Sequence, residues 1–238
     1  MKKYEAILFD LDGTLLPMDM DVFMKAYFKN LCVALAPIGI DSKELVDAVW
    51  AGTGAMVKND GSKKNCEVFW DFFNNAMTCD IAKAKEICDG FYKADFHNAK
   101  VATKENPLAK KAVELARKAS GKVILATNPL FPRDGQLTRI GWIGLSESDF
   151  DLITSYESDS YCKPNPDYYK SICERMGVES ENCLMIGNDE REDGYAARAA
   201  GLDTFLVTDC LIANDKYPCD CRRGTFEELC SYLEGLAK

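Results

Sequence analysis

The sequence predicts an α/β protein: an open parallel sheet core with helices on both faces, plus a smaller all-helical unit. Three observations predict it. Short apolar runs of strand length, rich in Ile, Leu and Val, recur along the chain. Segments with apolar residues at helical spacing fall between them, and that alternation argues a parallel sheet buried between helical layers. One long stretch, residues 17–98, breaks the rhythm and offers helical patterns only.

The first strand is read at residues 6–9, directly before Asp10. The inserted stretch carries four helical patterns, at 21–36, 42–51, 66–75 and 80–93. Within it, AGTGAMVKNDGSKKN (51–65) holds three glycines and little periodicity, and reads as a loop. The core resumes with a helix at 107–119, where Pro107 suits the first turn. A strand at 123–126 then ends at Thr127, and another is read at 152–154. Helices at 166–176 and 191–200 stop at Gly177 and Gly201. Between them, strand 183–186 runs into Gly187, Asn188 and Asp189. Strand 204–207 and helix 226–236 complete the reading. The expected division is a core of residues 1–16 and 99–238, interrupted by a helical unit of residues 17–98.

Composition narrows the function classes. With 238 residues and 47% hydrophobic content, the chain can bury one large core, or a core domain with a smaller companion. Lys and Arg number 29 against 38 Asp and Glu, a net charge of -9. Such a chain repels polyanions, so no nucleic-acid partner is expected. A small phosphorylated substrate remains compatible, because the local field of a site can oppose the net charge. No apolar run reaches the roughly 18–20 residues of a membrane span. Glu5 and Asp10 also separate the N-terminal run from a signal peptide. The expectation is a cytoplasmic protein without a membrane partner, a monomer or a small homo-oligomer. Eleven cysteines, an odd number in a long chain, read as reduced thiols. Cys210, Cys219 and Cys221 cluster, but zinc would want a fourth ligand, and the single histidine, His97, is remote in sequence.

Ligands of open α/β sheets bind at the carboxyl ends of the strands. The polar residues placed there are Asp10, Asp12, Thr127, Asn128, Lys163, Asn188, Asp189 and Asp193. Several carboxylates beside one lysine suit a hard divalent cation with oxygen ligands, and Mg²⁺ is the usual choice where phosphate binds too.

Four motifs appear in order: DLDGT at 10–14, LATN at 125–128, CKPNP at 162–166 and GNDEREDGYAARAAG at 187–201. In order and spacing the chain resembles the haloacid dehalogenase-like (HAD) hydrolases, in their phosphatase branch. The resemblance implies a Rossmann-like core with a helical cap inserted after the first motif. It implies Asp10 as nucleophile, Asp12 as acid and base, and Thr127, Asn128 and Lys163 as phosphate-binding residues. It also implies Mg²⁺ held among Asp10, Asp12 and the acidic residues of the fourth motif.

The chemistry also reads from the residues themselves. An ionised, metal-bound Asp10 can attack a phosphoryl group to give an aspartyl-phosphate. Asp12 can protonate the leaving alkoxide and then deprotonate the water that cleaves the intermediate. Gly13 permits a turn that aims the two carboxylates at one phosphorus. The Thr127 hydroxyl and Lys163 ammonium can stabilise the phosphoryl oxygens.

In the fourth motif, counting back from the AARAAG helix end puts Asp189 and Asp193 in the acidic positions. Counting from Gly187 puts Asn188 first. Asp189 is preferred, because an ionised carboxylate is the stronger Mg²⁺ ligand; Asn188 stays a neutral alternative. Glu190, Arg191 and Glu192 read as a solvated helix start. Lys58 lies in a basic, glycine-bearing loop that could face the crevice and read the leaving group. The function expected is a Mg²⁺-dependent phosphatase of a small phosphorylated metabolite. A phosphomutase-type phosphotransferase, or a non-catalytic phospho-ligand binding module on the same fold, are the alternatives. Dehalogenation ranks lower, since it has no use for Asp12 or a Mg²⁺ cluster.

Overall fold

A computed structural model describes residues 4–238. Strand β1 (Tyr4–Phe9) leads into four helices, α1 (Met20–Leu35), α2 (Ser42–Val57), α3 (Asn65–Ala76) and α4 (Ile81–Lys93). Helix α5 (Ala109–Ala119), β2 (Ser120–Leu125), α6 (Arg133–Gly141) and β3 (Leu152–Ile153) follow. The chain continues through α7 (Pro166–Met176), β4 (Cys183–Gly187), α8 (Ala196–Ala199), β5 (Asp203–Val207), β6 (Arg222–Gly224) and α9 (Phe226–Leu236). The six strands form one parallel sheet in the order β3-β2-β1-β4-β5-β6. The α/β fold with a parallel sheet is as the sequence predicts.

Alternation along β1 sorts the core into two layers. Ile7 and Phe9 face α9 and α5, and the small α5 residues Ala109, Ala112 and Ala116 lie at helical spacing against the sheet. Ala6 and Leu8 face the opposite layer, made by α7 and α8 through Tyr168, Tyr169, Ile172 and Ala196. β1 therefore sits at the centre of the sheet, buried on both faces, and its carboxyl end opens onto the crevice.

The four inserted helices start on side-chain caps where the sequence supplies them. Asp19 accepts from Val22 N, Asp41 from Lys43 N and Glu44 N, and Asp80 from Lys83 N. The expected loop at 51–65 is shorter than read, because α2 continues to Val57. A Cβ on Gly52 would meet the Phe69 ring at 2.9 Å, so this glycine permits close approach of α2 and α3. Glycine content alone does not separate that role from loop flexibility. The expected boundary at 98/99 falls inside a 3₁₀ segment, Asp95–Ala102, whose Phe96 stacks among Phe23, Tyr27, Tyr92 and Phe131. Inserted helices and core thus share one aromatic cluster. His97 accepts a hydrogen bond from Trp142 Nε1 at 3.1 Å, beside the same cluster.

Among the labelled helices and strands, α6 and the short edge strand β6 lie outside the sequence reading. Among the described residues no single helix is long and apolar enough to cross a membrane. The segments Met20–Ile38 and Ser42–Val57 reach that composition only together, with a bend of 117° between them.

Candidate active site

Strand ends deliver Asp10, Thr127 and Asn188, whereas Lys163 directly precedes α7 and Asp193 lies in the helical turn after β4. Asp10 follows β1, and its backbone N–H still bonds Ile186 O of the neighbouring strand at 2.8 Å. A tight turn comes next, closed by Gly13 N to Leu16 O at 2.8 Å and Leu16 N to Leu11 O at 2.9 Å. Gly13 has φ +84°, and a Cβ there would lie 2.3 Å from Asn188 Nδ2. Both the left-handed backbone and the close neighbour require glycine.

The centre of the site is a buried ion triad. Lys163 Nζ donates to Asp10 Oδ1 at 2.8 Å and to Asp193 Oδ1 at 2.6 Å. Lys163 is 1% exposed, so its charge is compensated by these two carboxylates rather than by water. Burial, the negative charge of Asp193 and that of Asp12 push the Asp10 carboxyl up to about 7, against the lowering effect of Lys163. Asp10 Oδ2 accepts from Thr14 Oγ1 at 3.2 Å.

The fourth-motif residues divide their work. Asp193 Oδ2 accepts from Asn188 N at 3.0 Å and Asp189 N at 3.1 Å. With Oδ1 on Lys163, both Asp193 oxygens already have partners. Asp189 Oδ1 caps the following turn, accepting from Arg191 N and Glu192 N at 2.8 Å each. Asn188 is the residue linked to Asp10, because Thr14 Oγ1 also reaches Asn188 Oδ1 at 3.0 Å. The Asn188 amide is held by Cys210 O at 2.7 Å. The turn after Asp189 is π-helical, Glu190–Tyr195, with Gly194 N bonding Asp189 O at 3.0 Å.

Glu190 and Glu192 differ from the solvated helix start expected of them. Glu190 is buried, pairing with Arg223 and accepting from Asn214 N at 2.6 Å. Glu192 lines the cavity and is pushed up to about 7 by burial. It accepts from Asn128 Nδ2 at 3.0 Å. Asn128 also clamps the Lys163 backbone, its Oδ1 accepting from Lys163 N at 3.2 Å and its Nδ2 donating to Lys163 O at 3.3 Å. Thr127 is buried beside it, and its carbonyl accepts from Thr154 Oγ1 at 2.6 Å and Tyr168 OH at 2.9 Å. Lys58 stands apart: it is exposed just past the end of α2 and is not among the residues lining the cavity.

Arg139, on the unread helix α6, is a side chain against the site that sequence reasoning misses. It is fully buried, ion-paired with Asp12 Oδ2 and bonded to Gln136 Oε1 and Gly135 O. Its guanidinium lies 4.5 Å from the Phe131 ring centroid. The motifs hold no trace of it, because an arginine amid the polar residues of RDGQLTRIG looks like a surface side chain.

Asp10, Asp12, Thr127, Asn128, Asn188, Asp189 and Asp193 all line one cavity of about 340 Å³. Its donor set at that end, the oxygens of Asp10, Asn188 and Asp189 among them, is hard, which fits a hard cation such as Mg²⁺. Asp12 Oδ1 is buried there without a hydrogen-bond partner. Among the described residues no three Asp, Glu, His or Cys side chains close into a ready-made cage. Mg²⁺ does not require one, since it binds through one or two carboxylates plus waters and substrate phosphate.

Comparison with known proteins agrees with this geometry. The family model of the haloacid dehalogenase-like hydrolases matches residues 4–201. The protein CbbY of a Cupriavidus necator plasmid is 25% identical over 224 residues, covering 90% of this chain and 82% of that protein. A phosphoglycolate phosphatase of Neisseria gonorrhoeae is 24% identical over 206 residues, covering 86% and 80%. Among solved structures, a HAD phosphatase from Thermococcus onnurineus superimposes with a TM-score of 0.60 at 19% identity, covering 97% of this chain and 98% of that one.

Proposed function

The chain belongs to the haloacid dehalogenase-like hydrolases, and from that premise we propose that it is a Mg²⁺-dependent phosphatase acting through an aspartyl-phosphate on Asp10. The observation that carries this reading is the convergence of four remote segments on one oxygen-rich cavity end. Asp10 is bound there to Lys163, Lys163 to Asp193, and Asp12 stands two residues on, facing the same space. The phosphatases among its relatives support the same class. The four inserted helices act as a cap in this reading, because they form the far wall of the cavity.

The residues have separable tasks. Asp10 Oδ2, only weakly held by Thr14, attacks phosphorus in line with the leaving oxygen. Asp12 delivers a proton to that oxygen and later takes one from water. Lys163, behind Asp10, holds that carboxylate in place, and its charge offsets the negative charge gathering at the phosphoryl group. Asn128 fixes the Lys163 backbone, and Asp193 fixes its ammonium. Asp10, Asn188 Oδ1 and Asp189 are the oxygens that would hold Mg²⁺, with Asp193 acting through Lys163 and the backbone. Bound there, the ion would neutralise charge between carboxylate and phosphate. The test is phosphate release from p-nitrophenyl phosphate with Mg²⁺ and with EDTA. Release with Mg²⁺, lost in EDTA, is expected. No metal-dependent release from this ester, or from a panel of phosphorylated metabolites, would overturn the reading.

A further inference from the structure

The cavity that begins at the carboxylates does not end there. It runs between α1 and α2, where Tyr27, Leu31 and Leu35 recur every four residues on one helix and Leu45, Val49 and Thr53 on the other. Tyr27, Leu31, Leu35, Leu45 and Val49 are buried in one hydrophobic cluster, so the two helical stripes, with the Thr53 hydroxyl, build the largely apolar end of the cavity. Phe69, Trp70 and Phe73 of α3 close the side. A cavity of about 340 Å³ falls within the range of small-molecule sites. It is about twice the ~150 Å³ apolar cavity that takes up benzene.

The charge on this surface is one-sided. The ionisable groups at the polar end are Asp10, Asp12, Asp189, Glu192 and Asp193. Among the described residues no Lys, Arg or His lines the wall; Lys163 and Arg139 lie behind Asp10 and Asp12. A second anionic group on a substrate would find no cation there. Apart from the Thr53 hydroxyl, polar atoms along the apolar reach are mostly paired with each other. Tyr27 OH and Tyr92 OH lie 2.9 Å apart, and Trp70 Nε1 donates to Tyr156 OH at 3.4 Å. A sugar hydroxyl buried there without a partner loses roughly tenfold in affinity or more.

We propose that this cavity selects phosphate monoesters of apolar alcohols, alkyl or aromatic, seating the phosphate at Asp10 and the leaving group between α1, α2 and α3. The inference rests on the phosphatase reading above and narrows it away from phosphoglycolate and sugar phosphates.

The test compares kcat/KM of the wild-type enzyme with Mg²⁺ across three arms. The first is n-alkyl phosphates from ethyl to hexyl, the second 2-naphthyl phosphate, the third phosphoglycolate and glucose 6-phosphate. In the alkyl arm, kcat/KM rises about 3- to 4-fold per methylene, roughly 10²-fold from ethyl to hexyl. The third arm falls below hexyl phosphate by at least a similar factor. Preference for hexyl or for naphthyl phosphate assigns the leaving group as aliphatic or aromatic; both support the proposal. A flat alkyl series, or phosphoglycolate or the sugar phosphate as best substrate, overturns it while leaving the phosphatase reading standing. No phosphate release in any arm removes that reading, and this inference with it. Val49→Trp supplies a second measurement, since an indole there shortens the cavity. The gain with chain length then stops at a shorter ester. An unchanged chain-length profile in a variant with native circular dichroism overturns the assignment of the cavity to the leaving group.

Discussion

Replacing Arg139 by Leu removes the cation that holds Asp12, and the structure sets the size of the effect. The guanidinium is 0% exposed and its carboxylate partner 18%. Breaking a buried pair by deleting one partner costs about 3–5 kcal/mol, because the remaining charge stays unpaired. Asp12 retains some contact with the cavity, which places this case near the lower end, about 3 kcal/mol. Gln136 loses its partner as well, and its Nε2 is already buried without one. Against a typical total stability of about 5–15 kcal/mol, the loss is large but survivable. At about 2–4 °C per kcal/mol for a chain of this size, Tm falls by roughly 6–12 °C. The same change should lower kcat by about 10²-fold with little effect on KM, because Arg139 acts through the position of Asp12 and touches no substrate. Thermal unfolding and steady-state kinetics read the two effects. A double-mutant cycle with Asp12→Asn separates them from general packing loss: Arg139→Leu should cost at least about 1 kcal/mol less when Asp12 is neutral. A Tm shift under about 2 °C with unchanged kcat would refute the reasoning, and so would strict additivity in the cycle.

Asp10→Asn removes the attacking oxygen while keeping the shape, and activity should fall by about 10⁴-fold or more with the fold intact by circular dichroism; residual activity above a hundredth of wild type would argue for another nucleophile. In metal-free protein the raised Asp10 and Glu192 carboxyls bind protons more tightly folded than unfolded. Their contribution to stability is therefore full below the ordinary carboxyl range and is lost as pH rises to about 7. Between pH 5 and 7.5, Tm in EDTA should fall for wild type and fall less for Asp10→Asn; equal slopes would contradict the assignment. Mg²⁺ at a hundred times its Kd should add about 2.7 kcal/mol, or roughly 5–11 °C in Tm. That shift should shrink below pH 7, where protons compete for the carboxylates; a pH-independent shift would count against carboxylate binding of the ion.

What can be read from the chain and what cannot follow different physics. β1, β2, β4 and β5 are legible because a strand buried on both faces must be a continuous apolar run, and its end shows as an abrupt polar residue. Asp10, Thr127 and Asn188 announce themselves that way. Helix α7 is legible to the residue, since Asn165 caps it, Pro166 begins it and Gly177 ends it. Helix α6 has none of these signals: Pro132 precedes it without a side-chain cap, and its buried face is Gly135, Gln136, Arg139 and a single apolar residue, Ile140. A helix that buries polar residues carries no apolar stripe, so periodicity is silent there. Edge strand β6, RRG, is silent because two of its three residues face solvent.

The same contrast holds within the site. Spacing in GNDEREDG leaves Asn188 and Asp189 as competing candidates, because both follow the strand and only their contacts separate them. Asn188 meets Thr14, which in turn meets Asp10; Asp189 turns back to cap its own helix turn. A local pattern fixes which residues reach the strand end, whereas a contact between positions 14 and 188 depends on the pairing of β1 with β4. The cavity lies one step further from the sequence. Its stripes at 27, 31 and 35 and at 45, 49 and 53, apolar but for Thr53, have the period of ordinary core helices, and read alone they predict packing against one another. They border the cavity as well as packing in the core, where Tyr27 is held by Tyr92 and Phe23 of α1 meets the Phe131 ring. The apolar end of the cavity is thus built by two helices together, and neither helix encodes it alone.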